Sequence, residues 1–400
     1  MKPFPIPVRM AKPVVPEETF DTRRTYHLDG TKIAHPAHAE RLRAFLAGER
    51  VAPITMDMAL TQKCTAACVF CYADLQQRPE DPVPWEVWEG FLEDCAEIGH
   101  KRGEGVKAIS LVSDGESTLS KSYYKFIRKA KELGIDVASG TNGEALKPEE
   151  LPMLVQNLSY LRINLNAATA EANGKIMRYK DPLKSWARVI GNIREMVRLK
   201  RELNAACTIG LQMVLMPHYG HEAVKLARLG RDLGVDYLVL KHCSDDEVGR
   251  LGVDYSWYVK PETMEMLHEA EAQSTANYQV QVKWSKIKTG RDRQYSRCYG
   301  TALHLQISGT GLVAPCGSFF SDAYKQYHIG HLLQSRFKDI WKSDKYTQVI
   351  NHLKSDAFDP RHQCATLCLQ DRTNKALYDH IDHGKPLPPV LDRSAHVNFL

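Results

Sequence analysis

The strongest constraint on how this chain folds is an alternation that begins near residue 54 and runs to residue 240. Short apolar runs of strand length recur at 54–60, 108–112, 136–139, 160–165, 207–215 and 237–240. Between them, apolar residues return with helical period at 84–98, 120–133, 151–158, 183–199 and 221–233. The first of these helices puts Trp85, Val87, Trp88, Phe91 and Leu92 on its buried side, and Gly134 stops the second. Six strands separated by helices predict parallel βα units, an α/β fold. A strand covered by helices on both faces reads as a continuous apolar run, as 108–112 does.

The chain has 400 residues, long for one small domain and enough for such a sheet plus an appendage. A net charge of +5 is mild at this length. It permits an anionic substrate or an acidic electron donor and does not indicate nucleic acid. No apolar run approaches a membrane span, and the start, Met1-Lys2-Pro3-Phe4-Pro5, lacks the apolar core of a signal peptide. Ten cysteines in that setting point to a reducing compartment, the cytoplasm, and to metal or cluster ligation in place of disulfides.

Three of those cysteines, Cys64, Cys68 and Cys71, follow the first strand at the spacing C-x3-C-x2-C. Three thiolates can hold three irons of a cubane [4Fe–4S] cluster and leave the fourth without a protein ligand. An open coordination site serves chemistry, a closed one structure or electron transfer. A zinc knuckle or three buried thiols are the alternatives. Zinc prefers four ligands, commonly as paired C-x2-C units, and no fourth Cys or His lies close by in sequence.

With Phe70 just before the last cysteine, the motif resembles the radical S-adenosylmethionine (SAM) superfamily. The resemblance implies a partial (β/α)6 barrel of the TIM type, whose active site sits at the C-terminal ends of the strands. It implies a [4Fe–4S] cluster on Cys64, Cys68 and Cys71, with SAM chelating the open iron beside Phe70 and Tyr72. SAM is then split into methionine and a 5′-deoxyadenosyl radical that takes a hydrogen atom from substrate, while the protein binds, orients and shields. A reduced flavodoxin- or ferredoxin-type donor is the implied partner. Asp114-Gly115-Glu116 stands where the family carries a G-G-E motif that holds the amino group of SAM, with Asp114 in place of the first glycine. Asn142 follows the third strand. Asn164 and Asn166 share one face of the fourth by alternation, suited to the ribose hydroxyls or carboxylate of SAM. Arg178 resembles the family arginine that pairs with the SAM carboxylate, a surface salt bridge being its alternative. Gln212 on the fifth strand is expected to flank the adenine.

A second constellation comprises Cys298, Cys316, Cys364 and Cys368. Its opening, C-x12-G-x4-C with Gly311, resembles SPASM and twitch domains, as does the run from 329–333 to Trp341. A full SPASM domain has more cysteines and two auxiliary clusters. Four cysteines imply a twitch-type domain with one closed auxiliary [4Fe–4S] cluster, suited to moving an electron. A four-cysteine zinc site is the alternative. The expected organisation is an N-terminal extension at 1–54 with one short helix at 38–48, the barrel at 55–285, a small α+β SPASM/twitch domain at 286–380, and a tail at 381–400 running over the surface. A helix at 261–274 leads away from the barrel, and 284–296 reads as a basic linker.

Cys95 and Cys207 are expected to be packed. Cys243 differs, because Lys241-His242-Cys243 follows the sixth strand at the rim where substrate should sit. Lys241 and His242 could bind an anion or move a proton, and a solvated loop is the alternative. The expected function is oxidation of a small polar metabolite, such as an aminocyclitol, sugar or nucleoside, with the auxiliary cluster accepting an electron. The competing readings are maturation of a ribosomally made peptide, epimerisation with Cys243 as hydrogen-atom donor, and a non-enzymatic iron–sulfur or zinc scaffold. The short extension weighs mildly against the peptide, and a scaffold has no use for the D-G-E turn or the lumen asparagines.

Overall fold

A computed structural model describes residues 31–73, 82–99, 104–245, 248–290, 292–364, 368–389 and 396–400. The first 30 residues of the expected extension therefore lie outside it. Helix α1 (Ala39–Leu46) precedes strand β1 (Thr55–Met58). Alternation follows through α2 (Trp85–Glu97), β2 (Ala108–Leu111), α3 (Tyr123–Glu132), β3 (Asp136–Thr141), α4 (Leu151–Asn157), β4 (Leu158–Asn164), α5 (Ala170–Met177), α6 (Pro182–Glu202), β5 (Thr208–Leu215), α7 (Ala223–Leu233), β6 (Tyr237–His242), α8 (Pro261–Glu271), β7 (Gln279–Val282) and α9 (Trp284–Thr289). The C-terminal part adds β8 (His304–Ile307), β9 (Leu312–Ala314), β10 (Gly330–His331), α10 (Phe337–Lys342), α11 (Asp344–Lys354), α12 (Pro360–Gln363) and α13 (Asp371–His383).

All ten strands belong to one sheet, in the order β10-β9-β8-β1-β2-β3-β4-β5-β6-β7. Strands β1 to β7 are parallel and sequential, as βα units require, and every residue of β5 is buried. The barrel has a seventh strand that the apolar pattern does not reveal. Strand β7 reads Gln-Val-Gln-Val, so its period-2 polarity hides it from a search for apolar runs. The expected linker at 284–296 starts instead with α9, which buries Trp284 and Ile287.

The C-terminal domain is not a separate layer. Its first strand, β8, pairs in parallel with β1, Thr55 opposite His304. Helix α10 is fastened to α2 through Asp94, which is fully buried and accepts from Arg336 Nε (2.9 Å), Arg336 Nη2 (2.7 Å) and the Lys338 backbone N–H (3.2 Å). Phe337 stacks edge-on against Phe91 beside that ion pair.

The end of the tail also departs from expectation. Residues 396–400 are seated across the N-terminal ends of the strands. Thr55 Oγ1 donates to the Asn398 carbonyl (2.6 Å) and accepts from the Leu400 N–H (3.0 Å), and Asn398 Nδ2 donates to Asp136 Oδ2 (2.7 Å). Phe399 packs on Ala108, Ala138 and Tyr160. Ala108 and Ala138 are too small to fill that end of the barrel, and the Phe399 ring takes the space.

Candidate active site

The cysteine loop leaves the C-terminal end of β1 and crosses to the end of α5. Its backbone is held there without help from the thiols: Ala67 N–H donates to the Met177 carbonyl and Val69 N–H to the Ile176 carbonyl, both at 3.0 Å. Cys64 is exposed, and Cys68 and Cys71 are half-buried. Burial, then the neighbouring Cys71 and Cys64, raise the Cys68 pKa. Three thiols thus lie within electrostatic range of one another.

The root of the loop is clamped. A Cβ on Gly115 would lie 1.9 Å from the Thr61 carbonyl oxygen, and one on Gly309 would lie 2.3 Å from the Thr61 carbonyl carbon. Two glycines, one after β2 and one after β8, therefore close on the same peptide from two sides. Asp114 completes the clamp. It is buried and accepts from Gln62 Nε2 (2.7 Å), Ser308 Oγ (2.6 Å) and Gly309 N–H (2.9 Å). Where the family motif has glycine, this carboxylate ties the cluster loop to the C-terminal domain.

Glu116 is buried too, and burial pushes its pKa up. Its carboxylate accepts from the Thr118 and Thr141 hydroxyls and the Asn142 N–H, each at 2.7 Å. Asn142 in turn directs Nδ2 at Thr65 Oγ1 (3.1 Å) and Cys64 Sγ (3.6 Å). Asn164 Oδ1 accepts from Gln212 Nε2 at 2.8 Å. Asn166 is fully buried, with Oδ1 accepting from Val214 N–H and Nδ2 against Met177 Sδ, so the fold uses both ends of its amide. Arg178 caps α5 in the left-handed region, φ 53°, and is exposed with no ion pair among the described residues. The surface salt bridge weighed for it is therefore absent there.

The other four cysteines gather together in the C-terminal part of the chain. The Cys298 thiol is pushed well up by burial and then by Cys368, Cys364 and Cys316. Burial and then Cys368 push Cys316 up to about 11. Asn374 Nδ2 and the Gln370 N–H both donate to Cys368 Sγ, at 3.4 Å. Gln370 Nε2 also donates to the His304 carbonyl (2.8 Å), so this segment is stitched to β8. Tyr72, next to Cys71, has its hydroxyl pKa raised by burial and then by Cys316 and Asp114, which places it between the two cysteine groups. Among the described residues no three His, Cys, Asp or Glu side chains converge on a single metal ion. Cubane ligands bind separate irons, and both donor sets are thiols, so the residues fit iron–sulfur clusters.

Two family models match the chain. The radical SAM superfamily model covers residues 58–229, which include Cys64, Cys68 and Cys71. The SPASM model, an iron–sulfur cluster-binding domain, covers residues 298–369 and all four remaining candidate ligands. The chain carries a radical SAM domain and a SPASM domain. Its curated relatives include a tungsten-containing aldehyde ferredoxin oxidoreductase cofactor-modifying protein of Pyrococcus furiosus, 21% identical over 72% of this chain and 81% of that one. A probable GTP 3′,8-cyclase of Methanothermobacter marburgensis is 21% identical over 66% and 84%. Among solved structures, SuiB of Streptococcus suis bound to SAM superposes with a TM-score of 0.59 at 16% identity, over 78% of this chain and 72% of that one. Native anSMEcpe with bound SAM gives 0.54 at 13% identity, over 82% and 97%. At these identities the structural likeness concerns the fold. The cofactors of a chain with these two domains are a radical SAM cluster, SAM and an auxiliary iron–sulfur cluster. No helix among the described residues is long and apolar enough to cross a membrane.

On β6, Lys241 and His242 part company, because neighbours on a strand face opposite sides. Lys241 lies near Arg162, Lys286 and Lys283, and burial and then those charges push it down to about 7. His242 is buried against Tyr255 and Tyr258, with Lys286 nearby, and neither ring nitrogen makes a hydrogen bond of good geometry. Burial and then Lys286 push its pKa down to about 3, which favours the neutral imidazole. A histidine that stays neutral when folded but takes a proton near 6.5 when unfolded costs stability as pH falls below 6.5. Between pH 7 and 5 the wild type should lose about 2 kcal/mol more than His242→Phe. Urea denaturation at both pH values measures the difference, and equal losses would show that His242 titrates normally.

Cys243 is buried, with Sγ 3.7 Å from the Phe70 carbonyl, and its thiol is pushed up to about 12 by burial and then by Asp245. It lies beside the cluster loop. Two further polar groups escaped the sequence reading. Asp57 on β1 lies 3.0 Å from His304 Nε2 on β8, and Arg162 sits on β4 over the Tyr160 ring. An alternating polar residue inside a strand was the available signal for each. A cavity of about 470 Å³ opens beside the loop, between Val69, Ile176 and Tyr219.

Proposed function

We propose that this radical SAM enzyme oxidises a small polar molecule held in the barrel lumen. The observation that carries the reading is the lumen itself. Charged and polar side chains of β4, β6 and β8 line it, the tail residues 396–400 form part of its wall at the N-terminal end of the strands, and the segment after Cys368 forms another part. Cys64, Cys68 and Cys71 would hold the radical SAM cluster, and Cys298, Cys316, Cys364 and Cys368 the auxiliary one. When bound, these groups and SAM supply a radical that removes a hydrogen atom from substrate and an acceptor for the electron that follows.

The chain's own residues then position and shield. Gly115 and Asp114 hold the loop, and Glu116 orients Asn142 toward it. The exposed Arg178, without an ion pair among the described residues, is available to the SAM carboxylate, and Asn164 and Gln212 present a joined pair of amides at the end of β4 and the middle of β5. Phe70 and Tyr72 on the loop would flank SAM, and Asn166 supports the site by pinning Val214. The Asp57–His304 pair is placed to take the proton that an oxidation releases. A reduced flavodoxin- or ferredoxin-type protein is the expected donor.

One observation favours a second reading. Cys243 lies against the cluster loop, and thiols are good hydrogen-atom donors, so the same site could epimerise its substrate. Product mass separates the two. A product two mass units lighter, formed equally by Cys243→Ala, supports oxidation. An unchanged mass with one deuterium gained from heavy water, lost in Cys243→Ala, would replace oxidation by epimerisation. SuiB, whose structure has also been solved with the precursor peptide SuiA bound, keeps peptide maturation as a further outcome, read by assaying a co-encoded peptide.

A further inference from the structure

Cationic side chains from three parts of the fold meet at one cavity, whose wall is completed by the segment just after Cys368. Arg162 comes from β4, Lys241 from β6, and Lys283 and Lys286 from the start of α9. Arg162, Lys283 and Lys286 line one cavity of about 150 Å³. That is room for about five water molecules, or for one tetrahedral oxyanion and the atoms attached to it. Lys241 stands beside it, within reach of the same three charges. Arg162 Nε is fully buried and makes no hydrogen bond. Arg162, Lys241 and Lys286 have no carboxylate partner among the described residues. Asp371, the acidic side chain on the cavity wall, is already engaged by the Tyr295 hydroxyl at 2.9 Å.

These four cations are half-buried, and cations shielded from water are ordinarily paired, because desolvation is costly without an opposite charge. Several cations facing one cavity also repel each other strongly where water is scarce. An anion in that cavity relieves both costs. Several cations match a dianion with three terminal oxygens better than a singly charged carboxylate, and the guanidinium adds a planar fork of donors.

We propose that this cluster binds a phosphate group, so that the substrate is a phosphorylated small molecule anchored by Arg162, Lys241, Lys283 and Lys286. Calling the ligand a substrate rests on the radical SAM reading, whereas the anion site stands on the cavity alone.

The test is calorimetric titration of the full chain, purified anaerobically, with inorganic phosphate and, separately, with acetate, ionic strength being held constant with chloride. Saturable phosphate binding is expected in the wild type, tighter than acetate, and weakened at least tenfold in Arg162→Gln and in Lys286→Gln. Both variants should also melt higher than the wild type in phosphate-free buffer, because each removes a repelled charge. A cation that only supports the fold would do the opposite, so lower melting of both variants would overturn the proposal. So would acetate binding as tightly as phosphate, or phosphate binding unchanged in both variants. SAM cleavage by the wild type is measured in parallel. Its absence would remove the radical SAM reading, while the titration still decides the anion site.

Discussion

Replacing Cys64, Cys68 and Cys71 together by alanine should remove about four irons per chain, from about eight expected of two cubane clusters, and abolish cleavage of SAM. The reason is ligation. These thiols are the donors on the loop that follows β1, and without them no iron is left open for SAM to chelate. The fold should survive, because the loop is pinned by the backbone bonds from Ala67 to Met177 and from Val69 to Ile176, which the substitutions leave alone. Iron content and 5′-deoxyadenosine are measured after anaerobic reconstitution with dithionite, with circular dichroism to confirm folding. A triple variant that still makes 5′-deoxyadenosine would end the assignment.

Gly115→Ala should be almost as damaging, for a reason of packing. The new methyl would sit 1.9 Å from the Thr61 carbonyl oxygen, and a backbone atom cannot rotate aside as a side-chain end can. Moving Thr61 away presses it onto Gly309, whose own Cβ position is already 2.3 Å from the same peptide. A loss of at least about 4 kcal/mol is expected, in the range of severe overpacking. The first cluster should be lost with the loop geometry. Gly309→Ala should behave alike. Gly191→Ala is the control, since a Cβ there meets nothing within 4 Å in the middle of α6, and it should be neutral or stabilising. Melting temperatures and iron content compare the three. If Gly115→Ala melts like Gly191→Ala and keeps its iron, the clamp is not rigid.

That clamp marks how far the site was legible in the chain. The Asp114-Gly115-Glu116 turn stood out by its place after the second strand and behind the cysteine motif. Its working was hidden. Asp114 replaces a glycine of the family motif and its side chain reaches Ser308 and Gly309, almost two hundred residues on, a contact no local pattern encodes. Arg178 was singled out by its resemblance to a family position, yet its left-handed backbone and its lack of an ion pair among the described residues needed coordinates. Lys241 and His242 were read as one polar rim. The strand separates them, sending one toward the cation cluster and burying the other behind two tyrosines.

The sequence alone determined the alternation of strand and helix, the parallel order that follows from it, and the two sets of cysteines whose spacing announces clusters. Those are local properties: apolar period, strand length and ligand spacing are written in neighbouring residues. The tertiary structure decided the rest. It showed that β7 belongs to the barrel although its glutamines break the apolar run, that β8 of the C-terminal domain pairs with β1, and that Phe399 fills the end left open by Ala108 and Ala138. It also brought Arg162, Lys241 and Lys286 together from strands and helices more than forty residues apart along the chain. Such meetings depend on which surfaces are left uncovered once the sheet has formed, and on charges that interact through space, so they have no signature in any one stretch of sequence.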